Sequence, residues 1–355
     1  MIMKPIRVLI VDDSPTVQVV LSRIISGEPD IEVMGIASDP FEAKQLILQD
    51  KPDVITLDIE MPKMDGITFL KRLMSYRPIP VIMISSYTKK NSLNTLEALE
   101  AGAIDFVTKP SRNIESNLTE LHDEITLKIR AASEARVISP FIMPKPQEKN
   151  IEDSSDITRK LIAIGASIGG PQIIQKILSG MVFQTQGIVI AVHMAARYTQ
   201  AFAQRLNSML PLKVSEARHL DRIENGKVLI APGGKNMIVV KKGKDYIIQI
   251  DNDPDKSFQR PSVDILFHSV ARSAGPDAVG IILTGMGEDG AEGLYAMNQA
   301  GAYTIGQDKA SCVVYGMPQS AIKRGGVDVI ASPDNIPNLV YANAKKTVNS
   351  NNKKH

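Results

Sequence analysis

The stretch VLIVDDSPT (residues 8–16) decides the fold of the first half of the chain. Val8 to Val11 form an unbroken apolar run, the pattern of a strand buried on both faces of a parallel sheet. Asp12 and Asp13 follow at its carboxyl end. Ser14 and Pro15 then supply an N-cap and a first helical residue, so a helix is predicted over Pro15–Ile25. Strand, acidic turn and helix make one βα unit, and the pattern recurs. Ile6–Val11, Ile31–Ala37, Val54–Asp58, Val81–Ile84 and Ala103–Val107 are predicted strands separated by amphipathic stretches. That alternation predicts a doubly wound α/β domain with a parallel sheet.

Composition changes after residue 132. The segment from 138 to 158, ISPFIMPKPQEKNIEDSSDIT, is rich in proline and mixed charge without a period, which marks a linker over 133–158. A second alternation begins near residue 160. Its predicted strands are Leu161–Gly165, Ile188–Val192, Val228–Ala231, Val279–Leu283 and Tyr303–Gly306, with Ile238–Val240 and Tyr246–Ile250 joined as a hairpin through KKGKD. The expected architecture is two α/β domains, each with a doubly wound parallel sheet: residues 1–132, then 159–345 with the hairpin, and a disordered polar tail over 346–355.

The chain has 355 residues, a length suited to about two domains. Its net charge of +2, from 41 basic and 39 acidic residues, argues against a surface dominated by phosphate contacts and so against a nucleic-acid partner. A single cysteine, Cys312, excludes an intrachain disulfide framework and suits a reducing cytoplasm. No apolar run approaches the roughly 20 residues of a membrane span, so no membrane insertion is expected.

Ligands in open α/β sheets bind at the carboxyl ends of the strands. Asp12, Asp13 and Asp58 end predicted neighbouring strands, the last in DVITLDIEMPKMDG (53–66). Their mutual repulsion would be relieved by a divalent cation, and carboxylates with water suit Mg²⁺. Asp58 is then placed to attack a phosphoryl group. Ser85 ends the fourth strand in PVIMISS, where its hydroxyl can bond an added phosphoryl oxygen; Lys109 ends the fifth in FVTKP, where its charge can pair with the same group. A cis peptide before Pro110 is a further expectation.

In the second half, LIAIGASIGGP (161–171) runs from an apolar strand into G-x-S-x-G, with Ser167 between Gly165 and Gly169. Such a turn presents a serine nucleophile, although Gly-rich strand–helix turns also cradle phosphates. The motif is neither a P-loop, having no Lys, nor G-x-G-x-x-G. Of five histidines, His193 closes the strand IVIAVHM and is the best-placed base, with His219 a loop competitor. IILTGMGEDGAEG (281–293) contains Glu288 and Asp289, either of which could orient the imidazole. Backbone N–H groups around Gly285–Gly287 could bind an oxyanion. The order Ser…His…Asp differs from the Ser…Asp…His of α/β-hydrolases, so a different doubly wound scaffold is expected.

On these residues, about 5–130 resemble a response-regulator receiver domain. The resemblance implies Asp58 as phosphoacceptor, Asp12 and Asp13 at the metal with it, Ser85 as switch hydroxyl, Lys109 as phosphate partner and Phe106 as a switching aromatic. Through IGASIGGP, AVHMAARYT, APGGKNM, RPSVDILFHSV, ILTGMGEDGAEG and VYGMP, residues 160–340 resemble the catalytic domain of the chemotaxis protein-glutamate methylesterases. That implies a catalytic triad of Ser167, His193 and Asp289, Met286 as backbone oxyanion donor and Glu288 as a solvated neighbour. It also implies a phosphorylation-regulated hydrolase that demethylates glutamate methyl esters of chemoreceptors, deamidates receptor glutamines, and takes its phosphoryl group from a chemotaxis histidine kinase. The hydrolase would need no cofactor. An unphosphorylated receiver is expected to hold the hydrolase back. Ile168, Ala195 and Asn236 depart from the residues common in that family (Thr, Pro and His respectively).

Overall fold

The computed structural model describes residues 4–86, 89–109, 118–137, 161–181, 186–251 and 259–351, with the backbone alone at 89–92, 118–120 and 344–351. The chain divides into two compact units, Met1–Ile142 and Met143–His355. The predicted linker segment 138–158 and the Lys109–Pro110 peptide lie outside the described residues.

In the first unit the apolar runs form β1 (Ile6–Val11), β2 (Ile31–Ala37), β3 (Val54–Asp58), β4 (Val81–Ser85) and β5 (Asp105–Thr108). They pair in parallel in the order β2-β1-β3-β4-β5. β3 and β4 are buried along their whole length, as continuous apolar runs require. The last strand begins two residues later than the apolar run Ala103–Val107 suggested. Ala103 and Ile104 are buried but lead into the sheet, where the Ile104 N–H donates to Val81 O (2.8 Å). Helix α1 (Pro15–Ser26) starts at Pro15. Ser14 occupies its N-cap position without a side-chain capping bond; instead the Ser14 N–H donates to Asp12 Oδ1 (3.0 Å). Helices α2 (Pro40–Gln49), α3 (Gly66–Tyr76), α4 (Lys89–Glu100) and α5 (Leu118–Glu134) complete the unit. Gly66 opens α3 for a steric reason. A Cβ there would lie 1.9 Å from Asp58 O, so only glycine lets α3 start against the end of β3.

The second unit is built on seven strands. They are β6 (Leu161–Ala166), β7 (Ile188–Val192), β8 (Lys213–Glu216), β9 (Lys227–Ile230), β12 (Ala278–Ile282), β13 (Tyr303–Gln307) and β14 (Val329–Ala331). Their order is β14-β13-β12-β6-β7-β9-β8, and every pairing is parallel. β10 (Asn236–Lys242) and β11 (Asp245–Asp251) pair antiparallel as a separate hairpin sheet. The edge strands β8 and β14 were not legible in the sequence. Each is short and partly exposed, so neither carries the continuous apolar run of an inner strand.

The connecting helices are α6 (Gly170–Ser179), α7 (Ala196–Met209), α8 (Val263–Ser273), α9 (Ala291–Gln299) and α10 (Met317–Lys323). Leu266, Phe267 and Val270 of α8 join Met237, Val239 and Ile248 of the hairpin and Leu294 and Met297 of α9 in one core. The final helix, α11 (Ile336–Asn351), corrects the expectation of disorder from residue 346: helix continues six residues into that stretch. Its first turns are anchored by the buried Ile336 and Val340, and the following Ala-Asn-Ala-Lys-Lys is rich in helix formers that extend an established helix. Among the described residues no helix is long and apolar enough to cross a membrane.

Both sheets reverse strand order beside their first strand. In the first unit the reversal lies between β1 and β3, in the second between β6 and β12. Crevices open at such points outside the carboxyl ends of the strands.

Candidate phosphoryl-acceptor and hydrolase sites

At the first reversal, Asp12 and Asp58 are buried and Asp13 is exposed. One carboxylate oxygen from each of the three lies within 4.8 Å of the others. Lys109 Nζ donates to Asp58 Oδ2 (2.6 Å) and sits 2.9 Å from Asp12 Oδ2. Asp12 Oδ2 nevertheless lacks an aligned hydrogen-bond donor, so the Lys109 contact is an ion pair by distance only. A buried carboxylate oxygen left in this state, among three converging acids, fits a hard divalent cation. Burial pushes the Asp58 carboxyl up to about 6; Lys109 pulls it down and Asp12 pushes it up again. Burial opposes the Lys109 charge, but Asp58 and Asp12 outweigh it and raise the ammonium above its usual range.

Ser85 is buried at the end of β4, where its hydroxyl accepts a bond from Thr95 Oγ1 (3.1 Å). Phe106 is buried in β5, with Lys128 Nζ 5.2 Å from its ring centre and donating to its carbonyl (2.6 Å). The structure therefore gathers Asp12, Asp13, Asp58 and Lys109 at one point. It sets Ser85 at the end of the strand next to Asp58.

At the second reversal, Ser167 follows β6 directly and is buried. Its N–H donates to Thr284 O (3.0 Å), and its carbonyl accepts from the Gly170 N–H (2.8 Å), which closes the turn into α6. The turn is sharp, yet the serine is unstrained. Lys63 and Leu220 are the non-glycine residues with positive φ among the described residues, and the left-handed position here is Gly169, at φ 72°. This differs from the strained serine of the hydrolase elbow that G-x-S-x-G suggests.

His193 follows β7, its N–H bonded to Ala166 O (3.1 Å), so the two strand ends are tied together. Its Nε2 lies 2.7 Å from Asp289 Oδ2. Asp289 also accepts from the Val263 N–H (2.8 Å, Oδ2), the Asp264 N–H (2.9 Å, Oδ1) and Ser262 Oγ (3.0 Å, Oδ1). The carboxylate thus sits on the N-terminus of α8, where free N–H groups and the helix dipole favour negative charge. Burial alone would push Asp289 up, but the His193 bond and the Asp264 and Val263 N–H groups outweigh it and hold it below the usual carboxylate range. Glu288, the other acid of the turn, is exposed.

An ionised carboxylate only accepts, so His193 presents Nε2–H to Asp289 and keeps its lone pair on Nδ1. Among the described residues no hydrogen bond joins Ser167 Oγ to His193; in unliganded enzymes such bonds are often formed only with substrate. The turn after β12 runs beside the serine. A Cβ on Gly285 would lie 2.7 Å from Ser167 Cβ and 2.2 Å from Met317 Sδ. The Met286 N–H makes no hydrogen bond among the described residues, which leaves a free donor in that turn.

The other polar residues have other work. His219 Nδ1 accepts from the Ile250 N–H (3.3 Å) on the hairpin, and His122, in the first unit, lies 3.0 Å from Glu28. Cys312 is buried, and burial with Asp308 pushes its thiol up to about 12, so it is no rival nucleophile. Sequence reasoning passed over Ser262, the N-cap of α8, whose Oγ accepts from the Ile265 N–H (3.3 Å). The signal was present: a serine directly before the helical period of VDILFHSV. Thr284 was missed as well. Its N–H donates to buried Gln307 (2.8 Å) and its hydroxyl to Ile168 O (3.0 Å), bracing the serine turn from beneath.

Three converging carboxylates with a lysine on one parallel sheet and a serine, histidine and carboxylate constellation on another point to the class: a receiver fused to an α/β hydrolase. Residues 8–121 match the response regulator receiver domain and residues 162–340 match CheB methylesterase. The chain belongs to the CheB methylesterase family. It is 46% identical over 347 residues to the protein-glutamate methylesterase/protein-glutamine glutaminase 1 of Geobacter metallireducens, covering 95% of this chain and 96% of that protein. It is 48% identical over 342 residues to the protein-glutamate methylesterase/protein-glutamine glutaminase of Methylobacillus flagellatus, covering 94% and 96%. Its second unit is similar to the crystal structure of the Thermotoga maritima CheB methylesterase catalytic domain. That likeness has a TM-score of 0.50 and 32% identity, over 52% of this chain and 97% of that one.

Proposed function

We propose that the protein hydrolyses γ-glutamyl methyl esters on chemoreceptors, releasing methanol, and deamidates receptor glutamines at the same site, under control of phosphorylation at Asp58. The observation that carries the chemistry is the 2.7 Å contact between His193 Nε2 and Asp289 Oδ2 on a strand end tied to that of Ser167. In this mechanism Ser167 Oγ attacks the ester carbonyl carbon while His193 Nδ1 accepts the hydroxyl proton. Asp289 stabilises the imidazolium, and the Met286 N–H donates to the developing oxyanion. The imidazolium returns its proton to the departing methoxide, leaving an acyl-serine and methanol. Water then attacks the acyl carbon, again with His193 as base; the bond to Ser167 Oγ breaks, the serine oxygen takes the imidazolium proton, and the glutamate carboxylate is released. With a glutamine side chain the same steps expel ammonia.

In the receiver, an Asp58 carboxylate oxygen attacks phosphorus of a phosphohistidine on the chemotaxis histidine kinase, and the imidazole leaves. Asp12, Asp13 and Asp58 would hold Mg²⁺, which would neutralise charge on the phosphoryl oxygens. Lys109 exchanges its bond to Asp58 for one to the phosphoryl group, and Ser85 donates a second. The buried ring of Phe106 serves as the switching aromatic.

The deciding measurement is methanol release from methylated receptor membranes. Ser167→Ala should lose about 10³-fold or more in rate, as loss of a triad nucleophile does. Release equal to wild type would overturn the assignment.

A further inference from the structure

On the acyl-transfer function proposed above, we infer that Ser262 is a positioning residue for the reaction: its hydroxyl fixes the Asp289 carboxylate, which confines His193 to its Nε2–H tautomer and so commits proton transfer to Nδ1. The usual triad is wired the other way, with Nδ1–H on the carboxylate and Nε2 at the serine.

The geometry rests on three connected contacts. Ser262 Oγ donates to Asp289 Oδ1 (3.0 Å), opposite the oxygen that meets His193. With the Asp264 N–H on the same oxygen and the Val263 N–H on the other, the carboxylate plane is held at both ends. Rotation about its Cβ–Cγ bond would break a contact at each. Ser262 is held in turn, because its N–H donates to Oδ1 of the fully buried Asn236 (3.0 Å). Asn236 is one of the positions where this chain departs from its family's common residues, and the contact gives it a role. Among the described residues the hydroxyl proton of Ser262 has one use, since its only other bond there, from the Ile265 N–H, is one it accepts. Capping the helix and orienting Asp289 therefore use different parts of the same side chain. A substitution can separate them.

Three variants of the full-length protein make that separation, assayed by methanol release from methylated receptor membranes. Ser262→Thr keeps both the donor and the cap and should retain activity within about twofold. Ser262→Ala loses both. Its kcat should fall by about 10- to 100-fold, the range for slight misplacement of reacting groups, with KM little changed. Ser262→Gly keeps most of the N-cap stabilisation, adds no charge beside Asp289 and cannot donate. A merely structural role predicts that Gly restores most of the Ala loss; positioning predicts that it does not.

The second readout is the ¹⁵N spectrum of the His193 ring. The neutral wild-type ring should show a protonated Nε2 and an unprotonated Nδ1, and Ser262→Ala should mix the two tautomers. A wild-type ring protonated at Nδ1, or full activity in either Ser262→Ala or Ser262→Gly, overturns the inference. Ser167→Ala, run alongside, keeps the two ideas apart. If it is inactive while Ser262→Ala is normal, positioning fails and the hydrolase stands. If Ser167→Ala is itself active, the hydrolase assignment fails first.

Discussion

A buried carboxylate and a part-buried one in this chain are driven in opposite directions by what touches them. Asp289 accepts two backbone N–H groups, a hydroxyl and an imidazole, and is held low. Among the described residues Asp58 has one cation, Lys109, within reach and a second carboxylate beside it, and burial lifts it to about 6. A carboxyl raised in the folded state contributes stability that is complete below its unfolded pKa of about 4 and is lost as pH rises through about 6. In chelator at neutral pH, Asp58→Asn should therefore stabilise the receiver by ~1–3 kcal/mol, a shift of several degrees in its Tm. The gap between variant and wild type should close below about pH 4. A thermal melt series across pH checks both, and an Asn variant less stable at pH 7 contradicts the burial argument. At this scale residue type and strand-end position revealed Asp12, Asp13, Asp58, Ser167 and His193 as candidates. They did not separate Asp289 from Glu288. The two are adjacent acids in one turn, and only the packing of α8 decides which faces the histidine.

The elements act mainly through where they end. α8 contributes its N-terminus, with Ser262 as cap and Val263 and Asp264 as donors, to a carboxylate 25 or more residues away in sequence. The turn after β12 contributes Gly285, whose missing side chain lets the backbone run against Ser167. Gly285→Ala would drive a methyl group into Met317 Sδ and Ser167 Cβ. It should lower kcat by about 10²-fold through displacement of the serine. Methanol release with circular dichroism measures this: a folded variant of full activity would show that the close approach is dispensable. Inner strands and their helices were legible because burial on both faces leaves an unbroken apolar run. β8 and β14 were not, since an edge strand needs no such run. The end of α11 was misjudged because a polar composition does not exclude a helix whose first turns are already docked.

For the whole molecule, the two units place their chemistry at the same kind of point, the reversal of strand order in a parallel sheet, but need different help. The three acids of the receiver fit a divalent cation; the hydrolase constellation is built from side chains and backbone N–H groups. Chelation should then abolish labelling of Asp58 by a phosphorylated histidine kinase while leaving the methanol release of the unphosphorylated protein unchanged. Radiolabel incorporation and the esterase assay, each with and without EDTA, measure the two arms. Loss of basal esterase activity in EDTA would contradict the division.

The sequence by itself determined the two α/β units, most of their inner strands, and the strand-end residues that carry reactive groups, because burial period and turn chemistry are local. Tertiary structure alone decided which of those residues meet. Strand order brings Ser167, His193 and Asp289 together across 122 residues of chain, and the N-terminus of α8 selects Asp289 and orients it. The bond to His193 Nε2 then leaves the imidazole lone pair on Nδ1. That choice depends on distances between groups far apart in sequence, which no local pattern encodes.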